Sequence, residues 1–509
     1  MFQRLLQLIK DALSKVKVVS DDGKVSVQEL YPLANKMQIA LDLWSNMYAD
    51  ESPWIDDVKG IYSFGIPASI CEELARYVLT EVDSHIVVPG VAEDDKSHDE
   101  SKDAEPTNRA EWLDKIYHLR LLNKMKDILE KAMAHGGMII KPYISNNSIH
   151  YDVCYQGEFV PIAFDDDGNI TDIAFHDSFI DGNIRYSKVE RHKFDISSRT
   201  ITITNKAYKT KNNANVDITE LGVEVPLSEI DRWSLIEPEI DITNIDRPLY
   251  GYYKVPIANN IDINCPLGVS VFHKASKVIE RADRQYSRLD WEYDAGQMAI
   301  DVDPMAIKTD SGYYGTSSMD DLRSRVYRKL DLGTDDTYKE FAPTLRDASY
   351  INGLNMYLMR IEDICGVARG TISNIDGTAR TATEILILKQ KTYVTTRANQ
   401  EALQKCLEDV IYATNVLADY YKQELNALDG EYVMNTEWSD SAIVDTYTEL
   451  EQRMNLMREG VLSKAEVRSW YTGEDMLTAQ AEIDKIASEN SSNMLNDIFN
   501  ATPQSTLEM

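Results

Sequence analysis

A glycine-bearing segment at 368–381, ARGTISNIDGTART, concentrates side chains suited to contact a nucleic acid. Guanidinium groups bind phosphate oxygens, and hydroxyl and amide groups donate hydrogen bonds to the same sugar-phosphate backbone. The candidate contacts are Arg369, Thr371, Ser373, Asn374 and Arg380. A merely mobile loop is the simpler interpretation of this composition, and contact with nucleic acid is the more specific hypothesis.

A second group of cations lies on a predicted helix at 266–295. Its members, Lys274, Lys277, Arg281, Arg284 and Arg288, alternate spacings of three and four residues. Such spacing places all of them on one face of a helix, where they could line a path for DNA. Because Glu280 precedes Arg284 by four residues, the pattern also fits a solvated face with intrahelical ion pairs.

Motifs for other chemistry are missing from the sequence. It contains no Walker A or dinucleotide-binding glycine pattern, no H-E-x-x-H or G-x-S-x-G, and no histidines at metal-ligand spacing. The stretch FDDDGNITD resembles a calcium loop, but Ala163 and Ala174 occupy its first and last ligand positions, which favours a hairpin turn. We therefore predict no metal, cofactor or enzymatic activity, although a divergent hydrolase using two of the many carboxylates stays an alternative.

Composition restricts the kind of nucleic-acid contact. The 509 residues include 53 Lys and Arg against 84 Asp and Glu, a net charge of −31, which argues against a surface that wraps nucleic acid. Residues 266–295 carry five bases and five acids, and residues 346–391 carry six and five. These segments sum to +1, so a DNA contact is expected there, where repulsion is weakest.

The chain has the composition of a folded intracellular protein. No apolar run approaches the roughly 20 residues that span a bilayer, and the start lacks a signal-peptide pattern. The five cysteines, Cys71, Cys154, Cys265, Cys365 and Cys406, are scattered and form no C-x-x-C pair. They are expected to be reduced and buried.

Three long helices must position the candidate contacts. The first, at 266–295, carries a heptad seam of apolar side chains opposite its cations. The seam consists of Phe272, Ala275, Ile279, Ala282, Tyr286, Leu289 and Tyr293. The second helix is predicted from Asp347, as N-cap, to Cys365 before Gly366. The third runs from about Thr381 to about Leu425, with no proline to interrupt it.

Other elements surround these helices. Helical periodicity is predicted at 1–13, 37–48, 67–81 and 108–134, and an acidic, solvated loop at 92–106. Alternating runs with glycine turns predict a meandering antiparallel sheet from about residue 137 to 250. Residues 296–345 should contain a strand, a short helix at 319–330 and a second strand. A strand at GEYVMNTEW, a capping box of Ser463 and Glu466 and a poorly ordered tail complete the chain.

Long blocks of the sequence resemble the portal proteins of tailed bacteriophages, in the branch found in siphophages and prophages of Gram-positive bacteria. The blocks, in chain order, are LDLWSNMYADESPW, GGMIIKPYI, DRPLYGYYKVPIANNIDINCPLGVSVF, DRQYSRLDWEYDAG, LRDASYINGLNMYLMRIEDICGVARGT, TATEILILKQKTY and WSDSAIVDTYTELEQRMNLMREGVLSKAEVRSWYTGE. They cover nearly the whole chain, although none is a catalytic signature. The acidic segment at 92–106 is the one major departure.

The resemblance implies an α+β portal fold and a division of the chain into named parts. Residues 1–265 would form a β-rich wing, residues 266–295 and 346–367 two stem helices, and residues 296–345 a small α/β clip. Residues 368–381 would form the tunnel loop, 382–440 a long wing helix with a wing strand, and 441–509 a helical crown with a disordered tail.

The resemblance also implies a function. Portal proteins form rings, usually of twelve subunits, at one capsid vertex, through which double-stranded DNA is packaged, retained and ejected. The implied partners are further copies of the chain, DNA, the terminase large subunit, a head-tail adaptor, and the major capsid and scaffolding proteins, with no membrane. The implied location is the virion, with assembly in the host cytoplasm. A structural head or adaptor component that does not line the DNA channel is the alternative.

Overall fold

The computed structural model describes residues 18–19, 25–26, 35–80, 82–90, 106–211, 222–297, 299–302, 327–329, 338–374, 382–438, 446–474 and 476–487. The chain divides into two compact units, Met1–Ser439 and Asp440–Met509. The first unit combines runs of helices with runs of mostly antiparallel strands, as expected for the α+β class. The helix predicted at 1–13, nearly all of the acidic loop at 92–106 and the C-terminal tail lie outside the described residues.

The helices of the first unit are α1 (Asn35–Tyr48), α2 (Ile66–Leu79), α3 (Arg109–Arg120), α4 (Met125–His135), α5 (Ser276–Ala295), α6 (Asp347–Cys365), α7 (Ala382–Tyr420) and α8 (Lys422–Leu425). Its strands are β1 (Val18–Val19), β2 (Val25–Ser26), β3 (Val82–Val87), β4 (Gly137–Ser145), β5 (Ser148–Tyr155), β6 (Phe159–Phe164), β7 (Ile170–Asp181), β8 (Ile184–Asp195), β9 (Thr200–Lys211), β10 (Val223–Val225), β11 (Glu239–Thr243), β12 (Gly251–Lys254), β13 (Ala299–Val302), β14 (Tyr327–Lys329), β15 (Tyr338–Phe341) and β16 (Val433–Trp438).

The predicted antiparallel meander is confirmed from β6 to β11, whereas β4 and β5, at its predicted start, belong to a separate sheet with β12. Strands β6 to β10 pair in chain order. Strands β10 and β11 both pair with β9, β10 with residues 207–209 and β11 with residues 200–204. In the turn between β6 and β7, Asp165 Oδ1 accepts hydrogen bonds from the backbone N–H groups of Asp167 and Asn169, at 3.1 and 2.7 Å. The FDDDGNITD stretch is therefore a hairpin turn, as predicted.

One large apolar core joins this sheet region to the helices. Strand β12 pairs with β4, which pairs with β5, and β12 lies directly against the long helix α7. A Cβ atom at Gly251 would stand 2.2 Å from the carbonyl oxygen of Cys406, so only glycine permits this approach. The Tyr253 hydroxyl donates a 2.6 Å hydrogen bond to Asn399 Oδ1, which fixes the two elements in register.

The helix predicted at 108–134 is interrupted, which corrects the sequence prediction. Helix α3 ends at Arg120, a 3-10 turn covers Leu122–Lys124, and α4 begins at Met125. The buried positions Tyr117, Leu121, Met125, Leu129 and Met133 step by four residues. Such a row drifts by roughly 40° around a continuous helix at each step, because 3.6 residues make one turn. All five residues of the row are nevertheless buried on the two sides of the interruption.

The long third helix is confirmed, with α7 covering 39 residues and about 58 Å at 1.5 Å per residue. A short break at Tyr421 separates it from α8. Its apolar positions Leu403, Leu407, Val410, Ile411 and Leu417 are buried, and Tyr421, just after its end, is partly buried. Most of the helix is thus held in the core of the first unit.

Strand β3 pairs antiparallel with β16, which confirms the strand predicted at GEYVMNTEW. In this pair His85 lies opposite Asn435. On the buried face, the Ser84 hydroxyl forms 3.0 Å hydrogen bonds with the hydroxyls of Tyr117 and Thr436. The two-stranded sheet is therefore bound to helix α3 as well.

The two strands predicted at 296–345 are confirmed as β13 and β15, which pair antiparallel. The prediction of a short helix at 319–330 is wrong for Tyr327–Lys329. These three residues form strand β14, which is parallel to β13. Pairing with Ile300–Val302 outweighs the local helical preference of this stretch. The remaining residues of that predicted helix lie outside the described part of the chain.

The second unit contains α9 (Thr446–Arg458), α10 (Lys464–Thr472) and a helix α11 at 476–487. The predicted capping box is confirmed, since the Ser463 hydroxyl accepts the Glu466 N–H and the Glu466 carboxylate accepts the Ser463 N–H. The guanidinium of Arg453 lies 4.4 Å from the ring centroid of Trp470, so α9 and α10 pack together.

All five cysteines are free thiols, and four of them are buried, with Cys154 partly exposed. Burial raises the pKa of the Cys71 and Cys406 thiols well above the usual range, and that of Cys265 to about 11. Thiols with raised pKa values are poor nucleophiles. The expectation of buried cysteines is confirmed for Cys71, Cys265, Cys365 and Cys406.

Candidate nucleic-acid interface

Helices α5 and α6 form an antiparallel pair whose contacts run along their length. Near the end of α5, the Glu292 carboxylate accepts hydrogen bonds from the Arg346 side chain at 2.7 and 3.1 Å. Further along, the Gln285 side chain donates to the Tyr350 carbonyl at 3.3 Å, close to Gly353. Residues 296–345 connect the two helices at this end.

Two helix starts differ from prediction. Helix α5 begins at Ser276 rather than 266, because residues 266–272 pass through a tight approach in which the Gly268 Cα lies against the Gly136 carbonyl. Asp347 is not the N-cap of α6, since Arg346 holds that position. The Glu292 carboxylate, from the neighbouring helix, accepts the Arg346 N–H at 3.1 Å and satisfies that group instead.

The apolar seam of α5 is buried along its first half only. Phe272, Ala275, Ile279 and Ala282 are fully buried, and Tyr286 is partly buried. Toward the end of the helix, Trp291 is 63% exposed and Tyr293 is 42% exposed. On α6, Ile351 and Met356 are 45% and 68% exposed. The helix pair therefore carries several large apolar side chains that are half-exposed or more exposed.

The cationic face of α5 is exposed as predicted. Lys277, Arg281 and Arg288 are exposed and form no ion pair with any residue in the described part of the chain. Arg284 donates two hydrogen bonds of 3.0 and 3.1 Å to Glu280, one turn earlier. The intrahelical ion pairing considered from the sequence thus applies to Arg284. The other three cations are available to bind phosphate groups.

Sequence reasoning missed what anchors α5 on its other side. The buried carboxylate of Asp283 accepts the Trp54 indole N–H at 2.8 Å and the Phe64 backbone N–H at 3.0 Å. One turn later, the Ser287 hydroxyl accepts the Tyr62 N–H at 2.9 Å. Burial raises the pKa of the Asp283 carboxyl, while these donors oppose that rise. The segment at 54–64 lies too far away in sequence to be paired with α5 by periodicity.

The loop after α6 is organised by one buried carboxylate, Glu362, which was also missed. Helix α6 ends at Gly366, in the left-handed conformation with φ +81°, as predicted. The Glu362 Oε1 atom then accepts backbone N–H groups from Gly370, Ile372 and Ser373 at 3.1, 2.7 and 2.9 Å. Its other oxygen accepts the Ser373 hydroxyl at 2.6 Å. A fully buried carboxylate thereby gains four donors.

The predicted contacts occupy different environments in this loop. Arg369 is half-exposed and donates two hydrogen bonds to Asp363, at 2.7 and 3.1 Å, which lower the pKa of that carboxyl. The Thr371 hydroxyl donates to the Ala368 carbonyl at 2.7 Å. The hydroxyl of Ser373 is used internally by Glu362, and its side chain is buried, so it is not an exposed contact in the protomer.

Asn374 closes the described part of the loop. Its backbone N–H and carbonyl bond to the side chain of Asn355 on α6, each at 2.8 Å, and its own side chain is exposed. Arg380 lies outside the described residues. The structure therefore brings Arg369, Thr371 and Asn374 to one anchored loop at the end of α6.

The chain was compared with known proteins. A family model described as phage portal protein, SPP1 Gp6-like, matches residues 74–494, which include both helices of the pair, the loop and the long helix α7. A search of the curated proteins finds no match. Across the described residues, no helix is both long and apolar enough to cross a membrane.

Proposed function

Since the chain belongs to the SPP1 Gp6-like family of phage portal proteins, we propose that it assembles into a ring at one capsid vertex and passes double-stranded DNA. A portal protein is a component of the phage capsid. The number of subunits proposed is twelve, as the resemblance implies. No catalytic role is included in this proposal.

Exposed apolar surface on the helix pair supports ring formation. Trp291, Tyr293, Ile351 and Met356 lie on α5 and α6 and are 42–68% exposed. Burying their remaining apolar area contributes roughly 25 cal/mol per Å². A ring is built from heterologous contacts, in which one face of each subunit binds a different face of the next. The exposed helix surface is suited to one side of such a contact.

The anchored loop supports a contact with DNA that is positioned but weak. Its guanidinium, Arg369, is paired with Asp363, and the partly buried Thr371 and the exposed Asn374 are neutral. Each phosphate that a protein holds firmly adds salt-dependent affinity, which would resist sliding of the duplex. A strongly acidic chain with few available cations, among them Lys277, Arg281 and Arg288, is consistent with a conduit. We extend the proposal to Arg380 because it lies in the same segment.

The division into wing, stem, clip, tunnel loop and crown is part of the proposal. In it, α5 and α6 are the stem helices, and strands β13 to β15 belong to the clip. The clip would dock the terminase large subunit during packaging and a head-tail adaptor afterwards. The wing and crown would face the major capsid and scaffolding proteins. Assembly would take place in the host cytoplasm, and the finished ring would stay in the virion.

Electron cryomicroscopy of the purified full-length protein tests this proposal. We expect rings with an axial channel at least ~20 Å wide, enough for a duplex whose major groove alone is about 12 Å across. The loop at 368–374 should lie on the channel wall. Closed particles without a channel would instead support a head or adaptor component that does not line DNA. Monomers at high concentration would contradict self-assembly of the chain alone.

A further inference from the structure

Two histidines and one aspartate from distant elements meet beside the β3 and β16 strands. His85 lies on β3, and Asp114 and His118 lie one turn apart on α3. One ligand atom from each lies within 4.8 Å of the others, and all three residues are partly exposed. The imidazole centroids of His85 and His118 are 4.7 Å apart. None of these residues takes part in the helix pair or the loop.

The separations suit a shared ion better than direct hydrogen bonds. His85 Nδ1 lies 3.5 Å from Asp114 Oδ2, and His118 Nε2 lies 3.5 Å from Asp114 Oδ1. Hydrogen bonds between such groups are usually 2.7–3.2 Å long. With metal–ligand bonds of about 2.05 Å, neighbouring ligand atoms of a tetrahedral site stand roughly 3.4 Å apart. Each histidine nitrogen therefore lies at about this separation from one oxygen of the Asp114 carboxylate, His85 from Oδ2 and His118 from Oδ1.

The His118 Nε2 atom points to the same conclusion. It has almost no solvent contact, yet it forms no hydrogen bond of acceptable geometry. A polar atom sealed from water without a partner is destabilising. A cation between His118 and Asp114 would supply the missing interaction.

Neighbouring groups hold two of the ligands in orientation. The Asp83 carboxylate lies 3.0 Å from Nε2 of His85, so it can accept a proton there, which places the unprotonated Nδ1 toward Asp114. Histidine ligands commonly donate their second N–H to a carboxylate in this way. The Asp114 Oδ1 atom accepts the Ile86 backbone N–H at 2.7 Å, which fixes the carboxylate against the strand.

We propose that His85, Asp114 and His118 bind a transition-metal dication such as Zn²⁺. Two imidazole nitrogens and one carboxylate suit Zn²⁺, whereas Ca²⁺ and Mg²⁺ prefer sites made of oxygen ligands. Water would complete the coordination. The ion would tie strand β3 to helix α3, which are separated along the chain by residues 88–108. This proposal does not depend on ring formation.

Zinc titration of the untagged, full-length protein after chelation tests the site. We expect calorimetry to show one Zn²⁺ bound per chain and thermal unfolding to shift upward with Zn²⁺. His85→Gln/His118→Gln should abolish both effects, and Asp83→Asn should weaken binding by about 10–100-fold. His150→Gln removes a histidine that is outside the cluster and should bind as the parent does. Equal binding by the parent and the double variant, or no binding by the parent, would overturn the proposal.

Cobalt provides a measurement that needs no variant. Co²⁺ bound by two imidazoles, a carboxylate and water should give the visible absorption of a four-coordinate ion, without a thiolate charge-transfer band. Zn²⁺ should displace it at one equivalent per chain. A thiolate band would place the metal on cysteines instead and contradict the assignment.

Discussion

The hydroxyl of Ser373 donates a 2.6 Å hydrogen bond to the buried carboxylate of Glu362, which lies on the last turns of helix α6. The same carboxylate accepts three backbone N–H groups of the loop. The first half of the segment at 368–381 is therefore a folded extension of α6. Its exposed groups are presented from a fixed base, which is what a contact with a passing ligand requires.

Glu362→Gln should destabilise the protein by about 2–3 kcal/mol, because a neutral amide replaces an acceptor of several charge-assisted hydrogen bonds. Chemical denaturation measures the difference. Asp363→Asn, the next residue, is the control. It removes a partly exposed ion pair with Arg369 and should change stability by less than about 1 kcal/mol. Equal effects of the two substitutions would contradict the anchoring role of Glu362.

Arg369→Ala/Arg380→Ala should leave ring assembly intact and impair DNA translocation or retention. Arg369 is half-exposed and contributes little to the fold, so its loss should act on DNA. A packaging assay with rings of defined size measures the effect. Arg76→Ala/Arg232→Ala removes two exposed arginines elsewhere and serves as the charge-matched control. Normal packaging by the loop variant would remove the electrostatic role of the loop.

The cations of α5 should contribute to DNA binding according to their pairing. Lys277→Ala, Arg281→Ala and Arg288→Ala should each lower the slope of DNA affinity against salt concentration, because each removes an available cation. Arg284→Ala should have a smaller effect, since Glu280 already neutralises that side chain. Binding of duplex DNA to the ring at several salt concentrations measures the slopes. Identical slopes for all variants would mean that this face is only solvated.

Met356→Glu should prevent ring assembly while the protomer stays folded. The side chain is 68% exposed on α6, so a charge there costs the protomer little, but it would have to be desolvated in a subunit contact. Analytical ultracentrifugation reports assembly, and circular dichroism reports folding. Leu235→Glu is the control, because Leu235 is 96% exposed outside the helix pair. Wild-type rings from Met356→Glu would exclude this surface from the interface.

Glu190→Gln should destabilise the protein by about 3–5 kcal/mol at neutral pH, because it leaves the buried Lys188 ammonium without its counter-charge and Lys141 with only Asp152, at 3.4 Å. The side chains of Glu190, Lys141 and Lys188 are largely buried. Glu239→Gln, an exposed position on β11, should change stability by less than about 0.5 kcal/mol and serves as the control. Chemical denaturation at pH 7 separates the two variants.

The same cluster should make the protein acid-sensitive. Burial opposes ionisation of Glu190, but Lys141 and Lys188 outweigh it and hold its pKa well below the usual value of 4.5. A lowered carboxyl pKa gives stability that is present above pH 4.5 and is lost as the pH falls further. Burial also lowers the pKa of His192 below its usual value of 6.5. Because this imidazole then binds a proton more readily in the unfolded chain, the free energy of unfolding starts to fall as the pH drops below about 6.5. Glu190→Gln should reduce the dependence of the free energy of unfolding on pH below pH 4.5. An unchanged dependence would show that Glu190 does not cause the acid sensitivity.

Helix and strand periodicity predicted most elements, and packing between distant segments decided the rest. The seam of α5, the end of α6 at Gly366 and the long helix α7 follow from local spacing. The anchoring of Asp283 by Trp54 joins residues 229 positions apart, and no local pattern identifies such a partner. Asp114 and His118 have helical spacing, but the third residue, His85, comes from a strand. Charge composition indicated where DNA contacts are expected, without revealing Glu362.

The pairing of β3 with β16 has a consequence for synthesis of the chain. Ser84 and Thr436 are 352 residues apart, so β3 leaves the ribosome long before its partner exists. At roughly 5–20 residues per second, the delay is about 20–70 s. During that time β3 presents an unpaired edge, which can pair with another nascent chain. High local concentrations of nascent chains should therefore favour exchange of β16 between chains.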